Sequence, residues 1–177
     1  MPTSQLAQPV VAGSATCLVV DDEPTVRRFL IRMLQAQGFQ CFEAASGREA
    51  LQVLDRIGEP PLIVSDMRMP EMDGIAFLEV VRNRYPDTSV IMLTGVSETS
   101  TAVDCLHRGA ADFLLKPISM SELQARVARA LEKRALVLQN RFYHENLERQ
   151  VHEQAVRIQE LFLQGVQMLA KIGRAHV

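Results

Sequence analysis

The sequence predicts a doubly wound α/β domain with a five-stranded parallel sheet, followed by a long helix. Uninterrupted apolar runs at 16–20, 62–64 and 90–93 are typical of strands buried on both faces of a parallel sheet. Between these runs, apolar residues recur at spacings of three and four, which favours amphipathic helices. After about residue 119 both the strand signals and the prolines end, which indicates a helical C-terminal region.

The composition of the chain excludes several classes of protein. The 177 residues are 47% hydrophobic and 23% charged, which excludes wholesale disorder, and the net charge of -2 gives no sign of nucleic-acid binding. We expect no membrane span, because no run approaches about 20 apolar residues. The first basic residue is Arg27, so a secretory signal is not expected either, and a cytoplasmic location is predicted. The three cysteines are odd in number and scattered, and we predict reduced core thiols rather than a disulfide framework or a metal site.

The predicted elements have their own start and stop signals. Pro24 suits the first turn of the first helix, and Gly38 is expected to end it. Ser46 is the candidate N-cap of the second helix, and either Ser119 or Ser121 would cap the last one. Apolar residues at helical spacing in the first helix are Val26, Phe29, Leu30, Met33 and Leu34. The other strands are predicted at 40–44 and 113–115, and the other helices at 75–81 and 101–106. This alternation implies right-handed crossovers and a parallel sheet covered on both faces. We expect a flavodoxin-like domain with strand order 2-1-3-4-5, an order that is one of the common ones for doubly wound sheets.

The last helix carries two sets of apolar positions. Leu123, Val127, Ala130 and Leu131 would close the domain. The second set is Ala135, Leu138, Phe142, Leu147, Val151, Ile158 and Leu161, with a phase break after Phe142. Its spacing and flanking charges favour a helix that projects and pairs with a second copy, while a helix folded back on its own domain is the alternative. Gln154 and Gly165 at core-like positions weaken the heptad pattern.

These patterns divide the chain into four segments. We expect a disordered tail at 1–14, the α/β domain at 15–135 and a helical linker or coiled-coil dimerisation segment at 136–171. The end, 172–177, is similar to a translated frame of a sequencing-adapter oligonucleotide, and we expect it to be non-native, with a genuine frayed terminus as the alternative. The histidines at 107, 144 and 152 share no metal-ligand spacing and are predicted to be surface residues.

Polar side chains stand at the carboxyl ends of four predicted strands, where ligands gather in such sheets. These residues are Asp21, Asp22, Asp66, Thr94 and Lys116. Carboxylates at 4 Å repel by about 4 kcal/mol per pair at an effective dielectric of 20, so a cluster of them calls for a cation. Oxygen ligands suit Mg²⁺, and one carboxylate could act as a nucleophile toward a phosphoryl group. Each of these residues taken alone would be an ordinary turn residue; their combination predicts a site.

Four motifs stand at these strand ends: LVVDDEPTVR, VSDMRMPEMDG, VIMLTG and GAADFLLKP. With them, the chain resembles the receiver domain of two-component response regulators over about residues 15 to 135. The resemblance implies that Asp66 accepts a phosphoryl group from the phosphohistidine of a sensor histidine kinase or phosphotransfer protein. It also implies a Mg²⁺ site with Asp22 as a direct ligand, Asp21 helping through water, and the Arg68 main-chain carbonyl as a further ligand beside Asp66.

The resemblance also implies a conformational switch. Thr94 would bind a phosphoryl oxygen, Lys116 would pair with it, and Phe113 would turn inward when Thr94 moves, although a plain core phenylalanine is the alternative. A cis bond at Lys116–Pro117 is expected. Positions 68 and 96, here Arg and Val, are those at which the family tunes autodephosphorylation. Phosphorylation would then change the face formed by the fourth helix, fifth strand and fifth helix, and with it the pairing of residues 120–165.

The expected function is therefore a phosphorylation-dependent response regulator that binds Mg²⁺ and forms a homodimer through its C-terminal helix. No enzymatic turnover is expected beyond slow autodephosphorylation, and neither nucleic acid nor a membrane is an expected partner. One alternative is the regulatory fragment of a larger output enzyme, such as an HD-GYP-type cyclic-di-GMP phosphodiesterase. The other alternative is an adaptor that is not phosphorylated.

Overall fold

The computed structural model of the chain describes residues 15–95 and 99–174. The strands are β1 (Thr16–Val20), β2 (Gln40–Ala44), β3 (Leu62–Asp66), β4 (Ser89–Thr94) and β5 (Asp112–Leu115). The helices are α1 (Pro24–Gln35), α2 (Gly47–Ile57), α3 (Gly74–Arg84), α4 (Thr99–His107) and α5 (Met120–Arg174). Position 96 and the tail at 1–14 lie outside the described residues, as do the last three residues.

The five strands form one parallel sheet in the order β2-β1-β3-β4-β5. This confirms the predicted fold class and strand order. Since β1, β3 and β4 are adjacent in the sheet, the loops that follow them leave the same edge side by side. Residues far apart in the sequence are thereby brought to one place.

The two faces of the sheet are covered by different helices, because successive strand residues point to opposite sides. On one face, Leu18 and Ile63 pack with residues of α2 and α3, such as Phe77. On the other face, Cys17 and Val64 pack with residues of α1 and the start of α5. The central strands are therefore buried on both sides, which explains their uninterrupted apolar sequences.

Helix caps follow the sequence signals closely. Ser46 accepts a hydrogen bond from the amide three residues on, as predicted, and Asp73 does the same at the start of α3. At α5 the choice between the two candidates is resolved. Ser119 Oγ accepts from the amide of Glu122 at 3.2 Å, which makes Ser119 rather than Ser121 the N-cap.

Phe29 shares the helical spacing of Leu30 and Leu34 but not their burial. It is 43% exposed, whereas both leucines are fully buried. Phe29 lies at the edge of the apolar stripe. Which edge of such a stripe is covered depends on the neighbouring elements, and the helical period does not decide it.

The chain divides into two compact units between Arg134 and Ala135. Helix α5 is 55 residues long and belongs to both. In the first unit it buries Leu123, Val127 and Ala130, as predicted for the face that closes the domain. Along the helical part of the second unit, the large apolar side chains are mostly exposed. Within the part of the chain that the structure describes, no helix has the length and apolar character needed to cross a membrane.

Candidate functional site

Three carboxylates meet at the carboxyl edge of the sheet. Asp21 and Asp22 follow β1 directly, and Asp66 is the last residue of β3. One carboxylate oxygen from each of the three lies within 4.8 Å of the others. Asp21 is fully buried and Asp66 nearly so, whereas Asp22 is exposed, so the cluster opens to solvent on one side. The prediction that these acids converge is confirmed.

Lys116 joins two of these acids. It follows β5, and its Nζ lies 2.9 Å from Asp21 Oδ2 and 3.0 Å from Asp66 Oδ1. The lysine is 95 positions from Asp21 in the sequence. Its ammonium offsets part of the repulsion between the two carboxylates, which are otherwise held close together in a poorly solvated place. The peptide bond that follows, Lys116–Pro117, is cis as expected.

For both Asp66 and Lys116, burial and ion pairing shift the pKa in opposite directions. Burial raises the pKa of Asp66 above its ordinary value, and the contact with Lys116 only partly opposes this rise. For Lys116, burial acts to lower the pKa, but the hydrogen bonds to Asp21 and Asp66 outweigh burial and raise it. The ammonium therefore stays charged, and it favours the ionised form of the acid beside it.

Backbone contacts fix the position of Asp21. Its Oδ1 accepts from the amide of Glu23 at 2.8 Å, and its main-chain carbonyl accepts from Arg27 Nη1 at 2.7 Å. Arg27 also donates through Nε to Glu43 at 2.9 Å, so it ties the site loop to β2. Arg27 was not among the predicted site residues. An arginine one turn into the helix after the acids was the available signal.

Gly74 positions Asp66 and was also missed as a site residue. A Cβ atom at position 74 would clash with the main-chain oxygen of Asp66 and would lie only 2.8 Å from Met67 Cα. Because glycine has no side chain, the start of α3 can pack directly against the backbone that carries Asp66. The Gly74 amide donates to the Met67 carbonyl at 2.8 Å, which further holds this loop.

The remaining predicted residues lie around the same edge. Thr94 ends β4 and is buried, and its Oγ1 donates to the Gly95 carbonyl at 3.2 Å. Arg68 lies in the loop after β3 and is exposed. Phe113 is half-buried in β5, with the Arg126 guanidinium carbon 6.0 Å from its ring centroid. The roles that the resemblance gives these three residues stay predictions.

The arrangement has clear chemical capacities. Three carboxylates offer hard oxygen ligands that fit a small divalent cation. A carboxylate beside an ammonium can also attack an electrophile whose negative oxygens the ammonium then stabilises. The donor set therefore suits phosphoryl chemistry at this edge of the sheet.

Fold and site together define a receiver. Residues 17–128 match the family model of the response regulator receiver domain, and the chain belongs to this family. It is 41% identical over 130 residues to the regulatory protein AtoC of Escherichia coli (strain K12), covering 73% of this chain and 28% of AtoC. It is also 41% identical over 124 residues to the sensor kinase CckA of Brucella abortus (strain 2308), covering 70% of this chain and 13% of CckA.

A solved structure agrees with these relatives. A response regulator receiver domain protein from Clostridium thermocellum superposes with a TM-score of 0.66 at 27% identity, covering 70% of this chain and 98% of that one. The chain thus spans less than a third of the length of AtoC and of CckA, and nearly all of the isolated receiver domain.

Proposed function

We propose that this chain is a phosphorylation-controlled signalling module whose Asp66 accepts a phosphoryl group from a sensor histidine kinase or phosphotransfer protein. The observation that carries the proposal is the contact of 3.0 Å between Lys116 Nζ and Asp66 Oδ1 inside a cluster of three carboxylates. A nucleophilic acid and the cation that would stabilise the incoming group are thus already side by side.

A divalent ion would complete the site. We propose Mg²⁺, with Asp22 and Asp66 as direct ligands, Asp21 acting in part through water, and the Arg68 main-chain carbonyl as a further ligand. Mg²⁺ prefers oxygen ligands and is commonly shared between carboxylates and phosphate. When bound, the ion supplies positive charge for the phosphoryl oxygens, a task that Lys116 alone meets only in part.

The transfer needs an ionised Asp66. One carboxylate oxygen attacks phosphorus while the bond from phosphorus to the donor imidazole nitrogen breaks, and the electron pair of that bond stays on the imidazole. Lys116 contacts Asp66, and after the transfer its ammonium would pair with the negatively charged phosphoryl oxygens. Thr94, at the end of the adjacent strand, would donate its hydroxyl to one of these oxygens.

We propose that phosphorylation shifts the face formed by α4, β5 and α5. Phe113 is half-buried at this face and packs under Arg126, which also lies 2.9 Å from the Asp112 carboxylate. An inward turn of Phe113 would remove the ring from beneath the guanidinium. Since Arg126 belongs to α5, a rearrangement of Phe113 in β5 would change a contact of the start of α5.

Two further contacts join α5 to the start of β4 and to the loop just before it. Ser89 Oγ donates to the Ala130 carbonyl at 3.2 Å, and Arg134 Nε donates to the Asp87 carbonyl at 2.5 Å. Because β4 carries Ser89 at one end and Thr94 at the other, movement at the site and the anchoring of α5 share one strand. This supports a mechanical link between phosphorylation and the helix.

We propose that the exposed apolar side chains of α5 pack against α5 of a second copy of this chain. Leu147, Val151, Ile158 and Leu161 expose between 56% and 68% of their surface, and they follow a spacing of four and three with Gln154 in the same series. Paired helices with this spacing would bury all four. If beryllofluoride, a phosphoryl mimic, leaves the oligomeric state and the cross-linking of residues 120–165 unchanged, the proposed coupling is wrong.

The curated relatives are much longer than the part of them that this chain matches, which favours a second candidate function. Since the chain covers 28% of AtoC and 13% of CckA, it corresponds to the receiver part of larger proteins. We propose that it serves as the regulatory part of a longer regulator; an HD-GYP-type output enzyme is one candidate. A cytoplasmic location follows from the proposed phosphoryl donors.

Incubation with acetyl phosphate and Mg²⁺, followed by intact-mass measurement, tests the proposal. The wild-type chain should gain one phosphoryl group, and Asp66→Asn should gain none. Asp104→Asn is the matched control, because Asp104 is exposed on α4 and outside the carboxylate cluster. It should be phosphorylated like the wild type.

Three results would contradict the proposal. The first is a wild-type chain that gains no mass, which would favour the adaptor that is not phosphorylated. The second is an Asp66→Asn variant that still gains the group. The third is equal phosphorylation with and without a chelator of divalent ions, which would exclude the metal.

A further inference from the structure

Two cysteines that are far apart in the sequence face each other in the sheet. Cys17 on β1 and Cys41 on β2 are partners in the register of the parallel strands. Their Sγ atoms lie 3.1 Å apart. Adjacent strands are separated by about 4.7–4.9 Å, which falls within the range of about 4.4–6.8 Å between Cα atoms that a disulfide tolerates. Small side-chain rotations would therefore bring the sulfurs into bonding distance.

The two thiols differ in accessibility. Cys17 is fully buried, whereas Cys41 is partly exposed on the edge strand of the sheet. An oxidant from solvent therefore meets Cys41 first. Cys105 belongs to the core cluster on the opposite face of the sheet from Cys17 and offers no alternative partner for it.

Their hydrogen bond favours the thiolate form of the accessible sulfur, although Cys41 Sγ also donates weakly to the Ile31 and Phe39 carbonyls at 3.8 and 3.9 Å. The Cys17 thiol donates to Cys41 Sγ, which lowers the pKa of Cys41, although partial burial acts in the other direction. The same hydrogen bond, followed by burial, raises the pKa of Cys17. The thiolate form is the nucleophile, so Cys41 is the side on which oxidation would start.

We propose that Cys17 and Cys41 form an oxidisable dithiol that closes to an intrachain disulfide between β1 and β2 when a peroxide is present. The Cys41 thiolate attacks one peroxide oxygen, so that an S–O bond forms, the O–O bond breaks and the departing hydroxide takes a proton to become water. The Cys17 sulfur then attacks the Cys41 sulfur, the S–O bond breaks, and the thiol proton leaves with the hydroxide as a second water. Two thiols are oxidised and one peroxide is reduced.

The thiol pair shares no residue with the carboxylate cluster, so this proposal does not rest on the proposed phosphorylation. It places a covalent link between the edge strand and β1, the strand that leads to Asp21 and Asp22. A phosphorylation assay and a thiol assay on the same chain therefore report on separate proposals.

The test is titration of the reduced full chain with hydrogen peroxide, followed by denaturation, alkylation and mass measurement. Before oxidation all three cysteines should be alkylated, and after it only one. Proteolysis without reductant should give a peptide pair that joins Cys17 to Cys41. Cys105→Ala is the control variant and should behave in the same way with one thiol fewer.

The variants Cys17→Ala and Cys41→Ser should both abolish the intrachain link, with folding checked by circular dichroism. The proposal is overturned if three thiols remain after oxidation, if the link joins two chains, or if it includes Cys105. It is also overturned if Cys41 is oxidised to sulfinic acid while Cys17 stays reduced. Because peptide mapping uses the wild-type chain, a variant that fails to fold does not weaken the test.

Discussion

The two units of the chain use the same residue type in opposite ways. Leu18 and Leu114 are fully buried within the first unit, whereas Leu147, Leu161 and Leu169 on α5 expose 56%, 60% and 70% of their surface. The first unit covers its apolar surface with its own helices. The second leaves a long apolar series in solvent, and an exposed surface of this kind marks a place of interaction. The comparison therefore separates residues that hold the fold from residues available to a partner.

The largest effect should come from matched leucine truncations. Leu18→Ala should lower the free energy of unfolding by about 2–5 kcal/mol, because it removes buried contacts and leaves a cavity. Leu161→Ala should change the unfolding of the first unit by less than about 0.5 kcal/mol and should instead weaken self-association. Urea unfolding and sedimentation measure the two quantities. Equal destabilisation by both variants would refute the contrast between the units.

Two glycines should respond with opposite signs. Gly74→Ala should cost about 1–3 kcal/mol, because its Cβ would meet the Asp66 main-chain oxygen. Gly165→Ala, in open space on α5, should raise helix stability by about 0.5–1 kcal/mol, because alanine loses less backbone entropy. Thermal unfolding followed by circular dichroism gives both values. A tolerated alanine at 74 would mean that the start of α3 does not hold Asp66.

The smallest effect concerns pH. Burial raises the pKa of Asp66 in the folded chain, so this group favours folding at low pH and disfavours it as pH rises through the folded pKa. Without divalent ions, Asp66→Asn should therefore have a higher Tm than the wild type near neutral pH, and the difference should shrink in acid. Melting curves across pH measure this. A lower Tm for the variant at neutral pH would show that the loss of the Lys116 pair outweighs the relief of burial.

Much of the fold could be predicted from local patterns. The apolar runs of β1, β3 and β4 have no alternation because helices cover both faces, and this signal survives without any tertiary information. Ser46 and Ser119 cap helices because their hydroxyls reach an amide only three residues away. Phe29 shows the limit of such patterns, since its exposure depends on which elements pack against α1.

The site was predictable in its members but not in its contacts. Asp21, Asp66 and Lys116 could be assigned to one edge from the ends of parallel strands. Their distances, and the role of Gly74 beside Asp66, depend on how α3 packs against the sheet. The pairing of Cys17 with Cys41 was missed because it depends on the register between two strands that a helix separates.

The sequence by itself determined the class of fold, the order of its elements and the residues at the acidic edge, because these depend on periodicity and on short-range hydrogen bonds. The tertiary structure decided which of those residues touch: Lys116 between Asp21 and Asp66, and Cys17 against Cys41. The physical reason is the distance along the chain over which each interaction acts. Periodicity and caps act within a few residues of the chain, whereas charge pairs and thiol pairs form across strands whose separation and register are set by the packing of the whole domain.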